Sequence, residues 1–444
     1  MARRTKKAYS CIKNGGKSIE NDRHDIGVQH SRINSRENSP NSHQEKMKNV
    51  ATQTAKQLFK LTALKIVAII LILGLTYSVV RNLLDYLEID MCSEKEFYQF
   101  QKTIEPNVIQ MAKDSAKKYA EKIKDDTIIS LDGAWDHRRH GTSCIVTFID
   151  ISTRKIIDFE IKTQQKQFVI GDTKEPSKNL EKECVIKLVE RWKSSEKVKF
   201  YIHDNDGVTR NIIEKSGWKV TEILDIGHAV KAIKNNLDNF NQKNGKPFKK
   251  LKPSIERFLE QLLRNETISQ DERLKLYLNM PYHYVGNHTS CIHKEDGKFK
   301  QYTGKDKDDF IAKFNKFLEE NVHYPQKVRP FYNTQNNECF NELKTKFLSK
   351  NRKFSSSTEM RLSEAVLEWN EEDWDDELLK NLGCEPICSC YRQMIKGRKD
   401  TQKKKNKKKC TPECKEKRKL ERRAKEKKKK AENDKADGYK PKKK

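Results

Sequence analysis

Between Thr127 and Leu224 the spacing of apolar residues alternates between two periods, and that alternation fixes the class of fold. Thr127–Leu131, Ser143–Ile149 and Lys155–Lys162 are short runs rich in β-branched and aromatic residues, with turn signals at Gly141 and at Asp150–Arg154. Ser177–Lys193 has helical spacing. Val198–Ile202 and Lys219–Leu224 read as strands on either side of a short helix, Val208–Lys215, and a long helix follows from about Ile226 to Phe240. The order strand, strand, strand, helix, strand, helix, strand, helix predicts a three-layer α/β unit with a mixed sheet.

Helical patterns flank this unit on both sides. Ile66–Val80 is a 15-residue run between Lys65 and Arg81, almost purely aliphatic up to Leu75. A membrane-spanning helix needs about 20 apolar residues. The pattern continues at helical spacing as Leu83, Leu84, Leu87 and Ile89, which predicts a buried helix passing into an amphipathic one. The alternative is a membrane anchor at 66–80. Met91–Ile123 reads as a further helix, opened by Ser93 with Glu96 three residues on, the pattern of a capping box. Beyond the sheet, Ile255–Leu263, Asp308–Glu320, Gln335–Leu348 and Glu359–Trp369 are helix candidates.

Charge sets the outer limits of the folded body. Of the chain's formal +28, the segment 396–444 carries +17 and residues 1–60 carry +8, leaving +3 for 61–395. The expected organisation is therefore a disordered basic arm at 1–55 and a helical region at 56–125. The α/β core spans 126–240, a mainly helical insertion 241–330, a core completion 331–375 and a Cys-containing, Lys-rich tail 376–444. Residues 1–60 hold no apolar core of the length a secretory signal requires, and the 11 cysteines are odd in number and scattered. Both features lead to the expectation of an intracellular protein with reduced thiols, and the basic ends to a polyanionic partner, nucleic acid first.

Two carboxylates end apolar runs: Asp132 after Ile128-Ile129-Ser130-Leu131, and Asp204 after Phe200-Tyr201-Ile202-His203. In a mixed sheet these two strand ends can be neighbours, and a downstream helix offers Glu338 and Glu342 on one face. Three crowded acidic groups stay ionised only with cations among them, and hard divalent ions with oxygen ligands, Mg²⁺ or Mn²⁺, suit them best. Two such ions about 3.5–4 Å apart would serve an in-line phosphoryl displacement.

The same residues carry a family resemblance. Ser130-Leu131-Asp132-Gly133-Ala134-Trp135-Asp136 resembles the first catalytic block of eukaryotic DDE-type DNA transposases of the Mutator-like and Kolobok type, and Tyr201-Ile202-His203-Asp204-Asn205-Asp206-Gly207 resembles the second. Asp225-Ile226-Gly227-His228 is similar to the Asp-x-x-His signature of these superfamilies. Asn336-Asn337-Glu338-Cys339-Phe340-Asn341, followed by Lys350, Arg361 and Trp369-Asn370, resembles the block around the third acid. The resemblance covers roughly 60–370. It implies a ribonuclease H-like core in which Asp132, Asp204 and Glu338 hold two Mg²⁺ ions, with Asp225, His228 and Asp206 in support. Asp206 competes with Asp204, and Glu342 with Glu338. It also implies a nuclear enzyme that cuts and joins DNA at transposon ends and target, self-associating in a synaptic complex. A catalytically inactive, domesticated DNA-binding protein is the alternative.

Two further clusters belong to the expectation. His283, His288, Cys291 and His293 fall within eleven residues and offer zinc N/S ligands, and a His/Cys-bearing segment occurs at a similar place in related transposases. Cys384, Cys388 and Cys390 with Cys410 and Cys414 offer a second set. The tail, with Lys403, Lys404, Lys405, Lys407, Lys408 and Lys409 at its start, reads as a phosphate-binding arm without base-reading ability.

Overall fold

The computed structural model describes residues 40–136, 141–164, 177–244, 246–289, 302, 304–349, 354 and 357–409, with part of 411–425. The chain divides into two units, Met1–Leu58 and Phe59–Lys444. In the first, the described residues are helical: α1 runs Pro40–Ile72. A helix therefore begins inside the segment expected to be disordered. Its early part has no apolar period, but Glu45, Lys46, Met47, Lys48, Ala51 and Gln53 are all good helix formers.

The aliphatic run is not one helix. After Ile72 the chain turns at Gly74, whose φ of +70° suits glycine, and the amides of Gly74 and Leu75 close on the carbonyls of Leu71 and Ile70. A separate helix, α2 (Tyr77–Tyr86), then starts. Among the described residues no single helix is long and apolar enough to cross a membrane; Thr52–Ile72 and Tyr77–Tyr86 pass that test only as a pair bent by 114°. Val67, Ala68, Ile70, Leu71 and Val80 are buried, whereas Ile66, Leu73 and Val79 are exposed. The third helix, α3 (Glu94–Ala120), opens with the expected capping box, Ser93 and Glu96 exchanging hydrogen bonds.

The sheet follows as expected. Its strands are β1 (Thr127–Trp135), β2 (Ser143–Asp150), β3 (Ile156–Thr163), β4 (Val198–His203) and β5 (Thr221–Leu224), in the order β3-β2-β1-β4-β5. β1–β2 and β2–β3 are antiparallel, and β1–β4 and β4–β5 are parallel. One difference matters: β1 does not stop at Leu131 but runs on to Trp135, because β2 pairs with it up to Trp135↔Cys144. Asp132 thus lies within a strand, fixed by pairing with Thr147 of β2, with paired residues before and after it.

Alternate residues of β1 face opposite layers. Ile129 and Leu131 pack with α4 (Ser177–Trp192), through Leu180, Val185 and Leu188, and with Trp218 beyond α5 (Gly207–Ser216). Ala134, with Ile145 and Ile149 of β2, packs in the opposite core with α3, α12 (Gln335–Phe347), α13 (Thr358–Asn370) and α14 (Trp374–Asn381). Between β5 and α12 the helices α6 (Ile226–Asn244), α7 (Lys246–Arg264), α8 (Gln270–Leu278), α9 (Met280–Tyr284), α10 (Lys307–Glu320) and α11 (His323–Lys327) bury their own apolar cluster, including Phe248, Phe310, Phe314 and Phe317. The chain returns to the sheet where Val328 bridges Leu224 at the end of β5. The last long helix, α15, is Ser389–Lys409.

Candidate active site

The parallel register of β1 and β4 levels two carboxylates. Ser130 pairs with Ile202, so two residues further along each chain Asp132 and Asp204 come side by side. Asp204 follows directly on His203, the last residue of β4, and Asn205 after it takes a left-handed φ of +62°. In open α/β sheets ligands bind in the crevice at the carboxyl ends of parallel strands, where Asp132 and Asp204 lie, and here α12 packs against the sheet face beside that crevice.

α12 is stitched to β1 residue by residue. The Asn337 side chain pairs with the Ser130 hydroxyl and also donates to Thr147 Oγ1 at 3.2 Å. Asn341 donates to Asp132 Oδ2 at 2.8 Å, and the buried Lys344 ammonium donates to the Trp135 carbonyl at 2.7 Å. Four helical residues advance about 6 Å and two strand residues about 6.6 Å, so Asn337 and Asn341 match Ser130 and Asp132 without strain. One turn earlier, Thr334 reaches two more acids. Its hydroxyl lies 3.1 Å from Asp204 Oδ1 and 3.3 Å from Asp225 Oδ2, and its amide donates to Asp225 Oδ2 at 3.1 Å.

Asp225 and His228 complete the cluster. Asp225 Oδ1 accepts the His228 amide at 2.9 Å, and His228 Nδ1 lies 3.0 Å from that oxygen and 3.1 Å from Asp204 Oδ1. A ring nitrogen between two carboxylates must carry the proton, which fixes the Nδ1–H tautomer. Ligand atoms of Asp204, Asp225 and His228 all lie within 4.8 Å of one another. Both Asp225 oxygens are already taken by protein donors, and hydrogen bonds from His228 and Thr334 outweigh burial to hold its carboxyl low. Asp132 is the opposite case. Burial, with the charges of Asp204 and Glu181 added, pushes it up to about 7 despite Asn341. Burial also raises Asp204, against the pull of His228 and Thr334. The crowded carboxylates of Asp132 and Asp204, which resist ionisation, offer oxygen ligands that fit a hard divalent cation, with the His228 ring beside them.

The competing acids occupy different places. Asp206 is the N-cap of α5: its carboxylate accepts the amides of Val208 and Thr209 and the Thr209 hydroxyl at 2.8 Å. On α12, at about 100° per residue, Glu338 lies about 40° from Thr334 and 60° from Asn341, whereas Glu342 lies about 80° and 100° away. Both glutamates are exposed. Thr334 and Lys344 carry no signal in the sequence, because a buried Thr or Lys looks like surface in a pattern analysis, and Ser130 is visible only as a member of the first motif. Asn337 and Asn341 were visible only as members of a motif.

A model of the Mutator-like transposase family matches residues 36–296, more than half of the chain. The chain belongs to the Mutator-like transposase family. The match takes in Asp132, Asp204, Asp225 and His228 and stops before α12. No curated protein matches the chain by sequence.

The other predicted sites fare unevenly. In this Mutator-like chain the rings of His283 and His288 meet edge to face, 4.7 Å apart between centroids, and His283 is buried. Cys291 and His293 lie outside the described residues. Cys388 and Cys390 bring their sulfurs to 2.9 Å on the surface. Cys384 is instead buried, with its thiol directed at the Leu61 carbonyl, and Cys410 lies outside the described residues. The backbone of α15 continues through Lys403–Lys409. Lys404 is exposed, and the side chains of Lys403, Lys405, Lys407, Lys408 and Lys409 lie outside the described residues.

Proposed function

We propose that this chain is a DDE-type DNA transposase with a ribonuclease H-like core, in which Asp132, Asp204 and Glu338 hold Mg²⁺ or Mn²⁺. The observation that carries the reading is the levelling of Asp132 and Asp204 on adjacent parallel strands, beneath a helix that bonds to both through Asn341 and Thr334. Bound divalent cations would supply the positive charge that favours an attacking oxygen and an in-line phosphoryl displacement.

The chain's own residues do the holding. Asn341 turns Oδ2 of Asp132 toward α12, and the Gly133 amide also stabilises that carboxylate. Thr334 and His228 converge on Oδ1 of Asp204 and orient that carboxylate, with Asp225 as the brace that orients both of them. Glu338, on the neighbouring face of α12, completes the acid set. The Lys-rich tail contributes sequence-independent attraction to DNA, and the enzyme acts in the nucleus on transposon ends and target DNA as a self-associated complex.

A cleavage and strand-transfer assay on DNA with Mn²⁺ tests it. Chelation should stop the reaction, Glu338→Gln should lower it at least 10³-fold, and Glu342→Gln should leave most of it. Equal activity in Glu338→Gln and wild type would remove the third acid from the mechanism.

A further inference from the structure

The residue before Asp204 and the residue after it are both wired to one buried carboxylate that belongs to no described site. Glu222, on β5, accepts a hydrogen bond from His203 Nε2 at 2.6 Å and another from Arg210 Nε at 2.6 Å on the same oxygen. Its other oxygen is bonded by the Lys327 ammonium. The Glu222 side chain is only 8% exposed.

Each of those partners reaches onward to the Asp204 loop. His203 is buried, and its Nδ1 accepts the Asp206 amide at 3.3 Å, so the ring is the Nε2–H tautomer and spans from Glu222 to the far side of the loop. Arg210 uses Nη2 to hold the Asn205 side chain at 2.8 Å, and Asn205 is the residue in the left-handed conformation. Lys327 comes from α11, directly before the Val328–Leu224 bridge and seven residues before Thr334. Three elements therefore meet on Glu222: the strand end carrying Asp204, the helix that follows it and, about a hundred residues on, the return of the helical block.

We propose that Glu222 is a positioning residue for Asp204, fixing its loop through His203 on one side and Arg210–Asn205 on the other, and tying that loop to the helical block through Lys327. This rests on the reading of Asp204 as a catalytic carboxylate, but the positioning itself can be read without metal or DNA. Outer partners of metal-binding side chains are worth about 10–100-fold in metal affinity or activity, which sets the expected scale.

Hydrogen exchange of the full chain, without metal or DNA, reads the loop directly. In Glu222→Ala and in Arg210→Ala, exchange in the 203–207 segment should quicken at least tenfold, while the apolar α4 face keeps its protection. Mn²⁺-dependent cleavage should fall about 10–100-fold in Glu222→Ala with DNA affinity unchanged. Glu222→Gln retains an acceptor for His203 and should recover part of that loss. Arg210→Ala, at a partly exposed side chain, covers the case in which Glu222→Ala does not fold. Unchanged exchange at 203–207 in a folded Arg210→Ala or Glu222→Ala protein overturns the proposal. If the wild type exchanges and responds as described but never cleaves DNA, the proposed function fails and the positioning role stands.

Discussion

The two faces of the sheet are built from different materials. The face under α4 is apolar at its centre, where Ile129, Leu131, Val146 and Phe148 meet Leu180, Val185 and Leu188, all close in sequence, and carries ion pairs along its β3 edge, from Asp158, Glu160 and Lys162 to Arg191, Lys187 and Glu183. The face under α12 and α13 buries Ser130, Thr147, Asn337, Lys344, Arg361, Glu364 and Asn370 as well as its hydrocarbon, and its helices come from far along the chain. Apolar packing is non-directional and supplies stability. A buried polar group is tolerated only with a partner at the right distance and angle, so it supplies position. The candidate chemistry lies on the second face.

Leu188→Ala should separate these roles most strongly. It opens a cavity in the apolar face at a fully buried site and should cost about 2–5 kcal/mol of stability in a denaturant titration. Cleavage per folded molecule should stay near the wild-type value. A loss of activity larger than the loss of folded protein would mean that the two faces are coupled.

Glu364 breaks the pattern on the polar face, and its expected effect is the next largest. Among the described residues neither of its carboxylate oxygens has a hydrogen-bond partner, and burial pushes it up to about 8 although Arg361 and Lys346 lie near. The folded state thus holds a proton that the unfolded state releases near the ordinary value of 4.5. Stability from this group is fully present at low pH and is lost as pH rises from about 4.5 to about 8. Glu364→Gln cannot titrate and should flatten that slope, gaining on the order of 4 kcal/mol at pH 8, at about 1.4 kcal/mol per pKa unit. Thermal melts of both proteins between pH 5 and 8 check it, and parallel curves would contradict it.

Asn370 shows the polar face as it usually works. Its side chain accepts the Ile156 amide and donates to the Ile156 carbonyl, both at 2.9 Å, so that α13 pins the β3 edge. Asn370→Ala leaves both backbone groups unpaired and should cost about 1–3 kcal/mol. Deleting 396–444, with its +17 of charge, should leave the melting temperature almost unmoved. It should flatten the slope of log DNA affinity against log salt, and equal slopes would mean that the tail is not the DNA arm.

The same contrast governs what the sequence reveals. The strands of 127–224 were legible because their apolar residues alternate, and Asp132 and Asp204 stood out as carboxylates at the ends of such runs. The extension of β1 through Asp132 and Gly133 was not, since neither a carboxylate nor a glycine continues the apolar alternation. Gly74 divided an aliphatic run that periodicity joined, because one left-handed residue outweighs the pattern around it. Glu222 and Glu364 resemble surface residues in any sequence pattern; only the folded chain brings Arg210, Lys327 and His203 around the first and hydrocarbon around the second.

Asp204→Asn and Asp206→Asn, assayed side by side for Mn²⁺-dependent DNA cleavage, test the central claim most directly. Asp204 faces the crevice beside Asp132, while Asp206 caps its own helix two residues away. The expected result is a loss of at least 10³-fold in Asp204→Asn with DNA binding intact, against substantial activity in Asp206→Asn at some cost in stability. Full activity in Asp204→Asn, or a dead Asp206→Asn protein that remains folded, would contradict the assignment of the crevice.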